Sequence, residues 1–333
     1  MLILGVETSC DETAVAVVED GCKIRSNVIL SQIDRHRKFG GVVPELAARC
    51  HLEAITPIVE EALREAGVLP QEIKLVAATY GPGLIGGLLV GLSLAKALSL
   101  AWKVPFVGVN HVEGHIYANF LAHPDLTPPL ICLTVSGGHT NLIYMAEHGD
   151  YEVLGETRDD AAGEAFDKVA RVLGLGYPGG PPVDRLARQG KAEITLVQQD
   201  RLAGTYDFSF SGLKTAVVNL VHRLEQKGET VPTADLAASF QRQVVSTLLE
   251  RAFRAVEDKK VTTLALSGGV AANSELRERF TQEAARRGVK LYYPPLDLCT
   301  DNAAMIAACG YFRWQKQGSS PLDLTVAPRL RLT

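Results

Sequence analysis

The sequence predicts two α/β domains that arose by duplication, and three observations support this prediction. The chain has 333 residues, 47% of them hydrophobic, which exceeds one typical core and suffices for two. Residues 2–21 align without a gap on residues 130–149, and both segments read as an apolar run, a polar turn and an alternating strand that ends at a glycine turn. Apolar strands then alternate with helices in both halves, which indicates a largely parallel sheet with right-handed crossovers.

The elements of the first half follow from periodicity and turn residues. In each copy of the duplicated segment the glycine turn, at Asp20-Gly21 or His148-Gly149, predicts a second hairpin leading into a third strand. An amphipathic helix, two apolar strands flanking a strongly apolar helix, and a helix carrying two histidines come next. Their predicted bounds are about 44–66 for the first helix, 73–79 and 104–109 for the strands, and 84–101 for the apolar helix.

The second half repeats this alternation around a glycine- and proline-rich loop at residues 174–182. Helices are predicted at about 160–173, 212–227, 233–258, 273–287 and 302–316, and strands near 130–155, 261–266 and 290–293. The last helix is expected to pack back on the first domain. We therefore predict one domain of residues 1–122 plus about 302–333, and a second of about 128–301 with a helical insertion at about 185–258.

Composition limits the possible partners and location. The formal charge of −4 and pI near 6.1 provide no global cationic field, so contact with a nucleic acid requires a local basic patch or a partner chain. The densest cluster of basic residues contains Arg35, Arg37 and Lys38, which are the expected contacts for nucleic-acid phosphates. The alternative is that this segment is only an exposed loop. Six scattered cysteines and an N-terminus without signal-peptide features predict a cytoplasmic protein. The apolar stretch 84–101 contains glycines and a lysine, and we interpret it as a buried crossover helix, without membrane association.

Two histidines, His111 and His115, stand four residues apart just after a predicted strand. On a helix this spacing places both on one face, where they can bind one metal ion, although such pairs also occur without metal. Ligands of open α/β folds bind at the carboxyl ends of strands, and Asp301 is expected to follow a strand there as the third ligand. Two imidazoles and one carboxylate leave coordination positions open, which suits catalytic zinc or ferrous iron.

A metallopeptidase is a weak alternative for this motif. Zincins place a glutamate directly after the first histidine, whereas here Glu113 stands two residues after His111. That offset turns it roughly 200° around a helix from His111, so it cannot act as a base on the same face.

Two Ser-Gly-Gly turns, at residues 136–138 and 267–269, each follow an apolar run. Glycine allows backbone N–H groups to approach phosphate oxygens, and a following helix N-terminus favours an anion. The alternative is a simple tight turn. Two such turns favour nucleotide binding, in which Asp167 and Asp184 could hold ribose hydroxyls beside Gly180.

Several ordered motifs closely resemble those of the bacterial TsaD family, the catalytic subunits of tRNA adenosine threonylcarbamoyltransferase. The resemblance covers nearly the full length. It rests on ETSCDET at residues 7–13, the two histidines, VSGGHT at 135–140, DDAAGEAFDK at 159–168, FSFSGLK at 208–214 and DN at 301–302.

This resemblance implies an actin-like, sugar-kinase-like fold of two ribonuclease-H-like domains with a cleft between them. It implies one divalent metal on His111, His115 and Asp301, with Fe(II) favoured and Zn(II) possible. It implies transfer of the threonylcarbamoyl group from threonylcarbamoyl-AMP, made by a separate synthase, to N6 of adenosine 37 in tRNAs that read codons beginning with A, together with the TsaB and TsaE proteins. The implied adenylate contacts are Thr134, Val135, Ser136, Gly137, Gly138, Asp167, Gly180, Asp184 and Asn273.

The chemistry expected of such a site is an acyl-type transfer. The metal would anchor or polarise the mixed anhydride, and the glycine turns would neutralise the departing adenylate. The adenosine amine then attacks the carbamoyl carbon, and Asp11 or His139 is the expected base or orienting group. An ATP-dependent kinase or ATPase of the same fold and an actin-type scaffold remain as alternatives, but neither needs the two histidines.

Overall fold

The computed structural model describes residues 1–196 and 202–332, in which two five-stranded sheets are covered by helices. The strands are β1 (Leu2–Glu7), β2 (Glu12–Glu19), β3 (Lys23–Ser31), β4 (Ile73–Gly81), β5 (Phe106–Asn110), β6 (Leu130–Val135), β7 (Thr140–Glu147), β8 (Asp150–Glu156), β9 (Thr263–Ser267) and β10 (Lys290–Tyr292). The α-helices are α1 (Ile33–Arg37), α2 (Pro44–Ala66), α3 (Ile85–Trp102), α4 (His111–Ala122), α5 (Ala162–Val172), α6 (Gly180–Ala187), α7 (Ser211–Gln226), α8 (Thr233–Lys259), α9 (Ser274–Arg287), α10 (Leu296–Cys299) and α11 (Ala303–Gln317).

The first sheet has the strand order β3-β2-β1-β4-β5. Strand β1 pairs antiparallel with β2 and parallel with β4, and β4 pairs parallel with β5. Alternate residues of β1 point to opposite faces of the sheet. Leu4 and Val6 join a core with α2, whereas a side chain at Gly5 would collide with the backbone of Ala303 in α11. Because helices cover both faces, β1 is apolar almost throughout.

The second sheet has the order β10-β9-β6-β7-β8. Taken in the opposite direction, β8-β7-β6-β9-β10, this order repeats that of the first sheet strand for strand. Strands β6 and β7 begin at Leu130 and Thr140, each 128 residues after the first residue of β1 or β2, Leu2 and Glu12. The glycine turns at residues 21 and 149 both have positive φ, at 71° and 72°. The predicted duplication is therefore confirmed. The sheets are mixed rather than largely parallel, because hairpins join their first strands.

Contacts divide the chain into two compact units. Unit 1 comprises Met1–Pro128, Glu147–Tyr151 and Tyr293–Thr333, and unit 2 comprises Pro129–Ala146 and Glu152–Tyr292. Asp301, which the predicted boundary near residue 302 assigns to the second domain, lies in unit 1 by its contacts. The predicted insertion at 185–258 includes residues 197–201, which lie outside the described residues.

Helix α3 connects the parallel strands β4 and β5, as predicted for a crossover. It is long and apolar enough to cross a membrane by length and composition, and 33% of its 18-residue window is buried. Its buried side, including Leu88 and Leu92, packs in unit 1, whereas Ile85 and Leu89 on its other side are exposed. The helix is therefore buried along one side only.

Three short helices differ from the prediction. Helix α6 occupies part of the expected loop at 174–182, because prolines at its first positions suit a helix N-terminus, where no hydrogen bond from their nitrogen is needed. Helix α1 includes Arg35 and Arg37 of the basic segment, for which the alternative prediction was an exposed loop. Helix α10 separates β10 from Asp301.

Candidate functional site

The two histidines of the candidate metal centre begin helix α4 directly after β5, as predicted. The Asn110 side chain caps this helix by accepting a hydrogen bond from the Val112 backbone N–H at 2.9 Å. Because both residues lie on α4 and are four positions apart, their side chains are one helical turn apart on the same face. Their ring centroids are 4.7 Å from each other. Both are buried, at 5% and 0% exposure.

Asp301 completes this group from the other end of unit 1. Its Oδ1 lies 3.5 Å from Nε2 of His111 and 3.2 Å from Nε2 of His115. Asn302 holds the segment by capping α11 through the Met305 N–H at 3.0 Å. The prediction that Asp301 follows a strand is wrong, because the short helix α10 lies between β10 and this residue.

The donor geometry fits a divalent cation. One donor atom from each of the three residues lies within 4.8 Å of the others. Donors that each lie about 2.1 Å from one cation are themselves separated by roughly 3.0–3.4 Å. The distances from Asp301 to the two imidazole nitrogens, 3.5 and 3.2 Å, are close to this range. Among the described residues neither ring nitrogen of the buried His115 forms a hydrogen bond, and the contact of Nε2 with Asp301 is an ion-pair contact at 3.2 Å. A bound cation would satisfy one of them.

Glu7, a residue of the ETSCDET motif for which no role was predicted, orients His111. Its Oε2 lies 3.0 Å from Nδ1 of His111, and Ser9 Oγ lies 3.1 Å from the same nitrogen. Thr79 donates to Oε2 at 2.6 Å, and the Ser9 N–H donates to Oε1 at 2.6 Å. Metal-binding imidazoles commonly have such a carboxylate behind them. The sequence feature that could have indicated this role is the position of Glu7 at the end of β1, a strand of the same sheet as β5, which precedes His111.

The charges around the centre favour a cation. Burial lowers the pKa of His111, but the carboxylates of Asp301 and Glu7 outweigh burial and raise the pKa to about 9. Burial, with Asp301 and Asp11 nearby, raises the pKa of Glu12 to about 10. Several acidic groups thus compete for protons in one buried region, and a divalent cation would offset their repulsion.

Glu113 has a structural environment of its own. It is fully buried, accepts from Tyr151 Oη at 2.9 Å, and pairs with a guanidinium nitrogen of Arg313 at 2.6 Å. These contacts join α4 to α11 within unit 1. The prediction that Glu113 does not act as a base beside the histidines is consistent with these partners.

In unit 2, the two glycine turns lie side by side at the carboxyl ends of β6 and β9. Thr134 Oγ1 lies 2.9 Å from Ser267 Oγ, and a side chain at Gly268 would meet the carbonyl of Val135. Ser136 Oγ accepts from the His139 N–H at 3.1 Å and shapes the first turn. A Cβ at Gly137 or Gly138 would meet no atom within 4 Å among the described residues, so backbone is accessible here.

Asp167 lies in α5 and Gly180 begins α6, both in unit 2. Oδ1 of Asp167 accepts from the Gly179 N–H at 2.6 Å, which ties α5 to the start of α6. A Cβ at Gly180 would meet nothing within 4 Å among the described residues. A ligand could therefore approach the backbone at that position.

Asp184 and Asn273 are brought together by a residue that the sequence analysis missed. Gln241 of α8 donates from Nε2 to Asp184 Oδ1 at 3.2 Å and accepts from Asn273 Nδ2 at 2.7 Å. Ser274 Oγ also donates to Asp184 Oδ1, at 2.7 Å. No local motif marks Gln241, since a single glutamine on an amphipathic helix carries no signal of its own.

The predicted catalytic and tRNA-contact residues are divided between the two units, with His139 in unit 2 and the others in unit 1. Asp11 is 7% exposed in unit 1, and His139 ends the Ser-Gly-Gly turn of unit 2. Arg35 and Arg37 are exposed on or beside α1, where they pair with Glu53 at 3.7 Å and Asp34 at 3.1 Å, and Lys38 Nζ lies 5.1 Å from the centre of the Phe39 ring. The catalytic and tRNA-binding roles of these residues stay predictions.

Sequence comparisons identify relatives over the full length. A family profile described as TsaD, tRNA N6-adenosine threonylcarbamoyltransferase, matches residues 23–308. The protein of that name from Caldicellulosiruptor bescii is 58% identical over 332 residues, covering 100% of this chain and 98% of the relative. Its namesake from Symbiobacterium thermophilum is 58% identical over 331 residues, covering 99% and 97%.

Structural comparisons concern the fold alone, because identities are low. T. kodakarensis HypF aligns with a TM-score of 0.63 at 15% identity, over 95% of this chain and 48% of HypF. Component A of the Acidaminococcus fermentans (R)-2-hydroxyglutaryl-CoA dehydratase aligns with a TM-score of 0.57 at 16% identity, over 93% and 98%. These neighbours have the actin-like ATPase fold, so the predicted fold class is confirmed.

Proposed function

Because the chain belongs to the TsaD family of tRNA N6-adenosine threonylcarbamoyltransferases, we propose that it transfers the threonylcarbamoyl group from threonylcarbamoyl-AMP and releases AMP. The expected acceptor is N6 of adenosine 37 in tRNAs that read codons beginning with A. The cluster of His111, His115 and Asp301 is the observation that carries this proposal, because a kinase or scaffold of the same fold needs no such group.

We propose that these three residues hold one divalent metal, with Fe(II) favoured over Zn(II). Two imidazoles and one carboxylate with open positions form a set that is typical of non-haem ferrous iron and is also seen with catalytic zinc. When bound, such an ion supplies a positive charge for phosphate and carbonyl oxygens. Glu7 fixes the ring of His111 so that Nε2 faces Asp301.

The adenylate part is proposed to bind in unit 2. The accessible backbone at Gly137 and Gly138 can donate N–H groups to phosphate oxygens. Asp167 and Asp184 offer carboxylate oxygens to ribose hydroxyls, and Gly180 leaves room beside them. Thr134, Val135, Ser136 and Asn273 complete this proposed set.

In the transfer itself, the N6 amine forms a bond to the carbamoyl carbon while the bond from that carbon to the phosphate oxygen breaks. The amine proton must pass to a base, for which Asp11 and His139 are the candidates. If Asp11 is the base, Asp11→Ala abolishes transfer while AMP affinity and metal content stay near those of the wild type. Loss of the metal in Asp11→Ala would contradict this role.

We propose TsaB and TsaE as protein partners in the cytoplasm, without membrane association, with a separate synthase supplying the donor. Leu52 of α2 and Ile85 and Leu89 of α3 are exposed on two helices that pack together, and such apolar side chains suit a protein interface. Arg35, Arg37 and Lys38 are the proposed phosphate contacts for tRNA, so their replacement should weaken binding and reduce its salt dependence.

The function is tested by incorporation of labelled threonine into tRNA. The reaction contains this chain, TsaB, TsaE and the synthase, and compares wild type with His111→Ala. We expect labelled tRNA only with the wild type. Absence of label with wild type, where a relative succeeds under the same conditions, would contradict the proposal. Full retention of phosphotransfer to a small hydroxyl substrate by a His111→Ala/His115→Ala protein would favour the kinase alternative.

A further inference from the structure

A buried amide, Gln241, connects two of the proposed adenylate contacts in unit 2. Its side chain lies on α8, is 2% exposed, and forms hydrogen bonds to both Asp184 and Asn273. Its Nε2 also lies 3.3 Å from Glu275 Oε2. A buried glutamine whose two ends are both used has a fixed position, because either lost bond would leave a polar group without a partner.

The direction of this amide is set by the N-terminus of α9. Asn273 caps that helix, so its Oδ1 accepts from the Leu276 N–H at 2.9 Å and its Nδ2 must point to Gln241. Gln241 therefore presents Oε1, its only acceptor, to Asn273. Its Nε2 donors then point to Asp184. The helix cap thereby determines which atom faces the aspartate.

The result is an asymmetric environment for the Asp184 carboxylate. Oδ1 accepts hydrogen bonds from both Gln241 Nε2 and Ser274 Oγ, which lie 3.2 and 2.7 Å away. Oδ2 pairs at 3.0 Å with Arg188, whose side chain is 62% exposed. A partner on a solvated side chain exchanges easily with a ligand, whereas the buried amide of Gln241 and the partly buried hydroxyl of Ser274 do not. Oδ2 is thus the oxygen available to a ligand hydroxyl.

We propose that Gln241 is a positioning residue for adenylate binding, which holds Asp184 so that Oδ2 accepts from a ribose hydroxyl of the nucleotide. This inference rests on the proposed function, in which Asp184 contacts the adenylate. Gln241 acts through Asp184 and Asn273 and does not itself contact the ligand. It extends the proposed site by a residue from a further helix, α8.

Calorimetric titration of the full chain with AMP and with 2′,3′-dideoxy-AMP tests this inference. Gln241→Met keeps the length of the side chain and removes its hydrogen bonds to Asp184, Asn273 and Glu275. Gln241→Glu keeps an acceptor for Asn273 but replaces the donor to Asp184. Ser239→Ala is the matched control, since Ser239 is a buried polar residue of the same helix whose hydroxyl accepts from the Ile194 N–H. Thermal unfolding of each variant accompanies the titrations.

We expect both Gln241 variants to bind AMP about 10-fold more weakly, as for loss of a hydrogen bond to a charged group. Their affinity for the dideoxy nucleotide and the affinity of Ser239→Ala for AMP should stay unchanged. Combined with Asp184→Asn, Gln241→Met should add little further loss, because the two residues act as one unit.

Four outcomes would overturn the inference. An equal loss for both nucleotides would show general loosening of unit 2, and additive losses with Asp184→Asn would show independent roles. Full AMP affinity in both Gln241 variants, with Asp184→Asn weakened, would remove Gln241 from the site and leave the proposed adenylate contact in place. If Asp184→Asn itself binds AMP normally, the adenylate contact proposed for Asp184 fails as well.

Discussion

Nδ1 of His111 lies 3.0 Å from Oε2 of Glu7, and Nε2 of the same ring lies 3.5 Å from Oδ1 of Asp301. A carboxylate can only accept, so this pairing places a proton on Nδ1 and leaves the lone pair of neutral His111 on Nε2. Thr79 and the Ser9 N–H hold Glu7 in turn. The ring is therefore oriented for a cation before any ion binds.

Glu7→Gln should weaken metal binding about 10- to 100-fold, which is the usual effect of losing the carboxylate behind a ligating histidine. The variant keeps the size of the side chain but loses its charge. Competition with a chelator of known affinity measures the change. Glu113→Gln is the matched control, because Glu113 is an equally buried glutamate of unit 1 that pairs with Arg313. Equal metal affinity in Glu7→Gln and the wild type would contradict this account of Glu7.

Local patterns explain which parts of the fold and site could be predicted. The strands β1, β2, β6 and β7 were recognised because alternation and turn residues are properties of neighbouring residues. His111 and His115 were recognised for the same reason, since their spacing is that of one helical turn. The bounds of α2 were predicted as observed, from Pro44 to Ala66.

Contacts between residues that are far apart in the sequence could not be predicted from local patterns. Glu7 and His111 are 104 residues apart, and Asp184 and Gln241 are 57 residues apart. Glu7 lies near His111 because β4 inserts between β1 and β5, an order that a single sequence does not specify. Gln241 lies near Asp184 through the packing of α6 on α8. Helix α10 was missed because four residues carry no periodic pattern.

The buried pair of Glu113 and Arg313 should matter for stability rather than for metal binding. Arg313→Met leaves the Glu113 carboxylate buried without its cation, and such losses cost about 3–5 kcal/mol. Urea unfolding measures this change. Adding Glu113→Gln should recover part of the loss, because the uncompensated charge is removed. Purely additive losses, or a metal content below that of the wild type in the double variant, would contradict this role.

His51 should make stability depend on pH. Its Nε2 lies 3.0 Å from the Cys10 carbonyl, so Nε2 carries the proton, and Nδ1 lies 2.8 Å from Thr13 Oγ1. Burial lowers the pKa of His51 below its usual value of 6.5, despite the raising effect of the Cys10 carbonyl. Below about pH 6.5 the unfolded chain therefore binds more protons at this residue than the folded chain does.

The free energy of unfolding should consequently fall with decreasing pH, and His51 contributes at most about 1.4 kcal/mol per pH unit. Urea titrations of the wild type and His51→Gln between about pH 8 and pH 5.5 isolate this contribution, because the other histidines are common to both proteins. The advantage of the wild type should shrink as the pH falls. An advantage that is constant or grows towards low pH would exclude a neutral, buried His51.

The claim that one cation on His111, His115 and Asp301 is required for threonylcarbamoyl transfer is tested most directly by a metal titration. Protein stripped by a chelator receives Fe(II) in increments without oxygen, while transfer to tRNA is followed with the partner proteins present. The account predicts that the rate rises until about one equivalent is bound, and that His115→Ala and Asp301→Ala neither bind the ion nor recover activity. A full rate from the stripped wild type, or from His115→Ala, would contradict it.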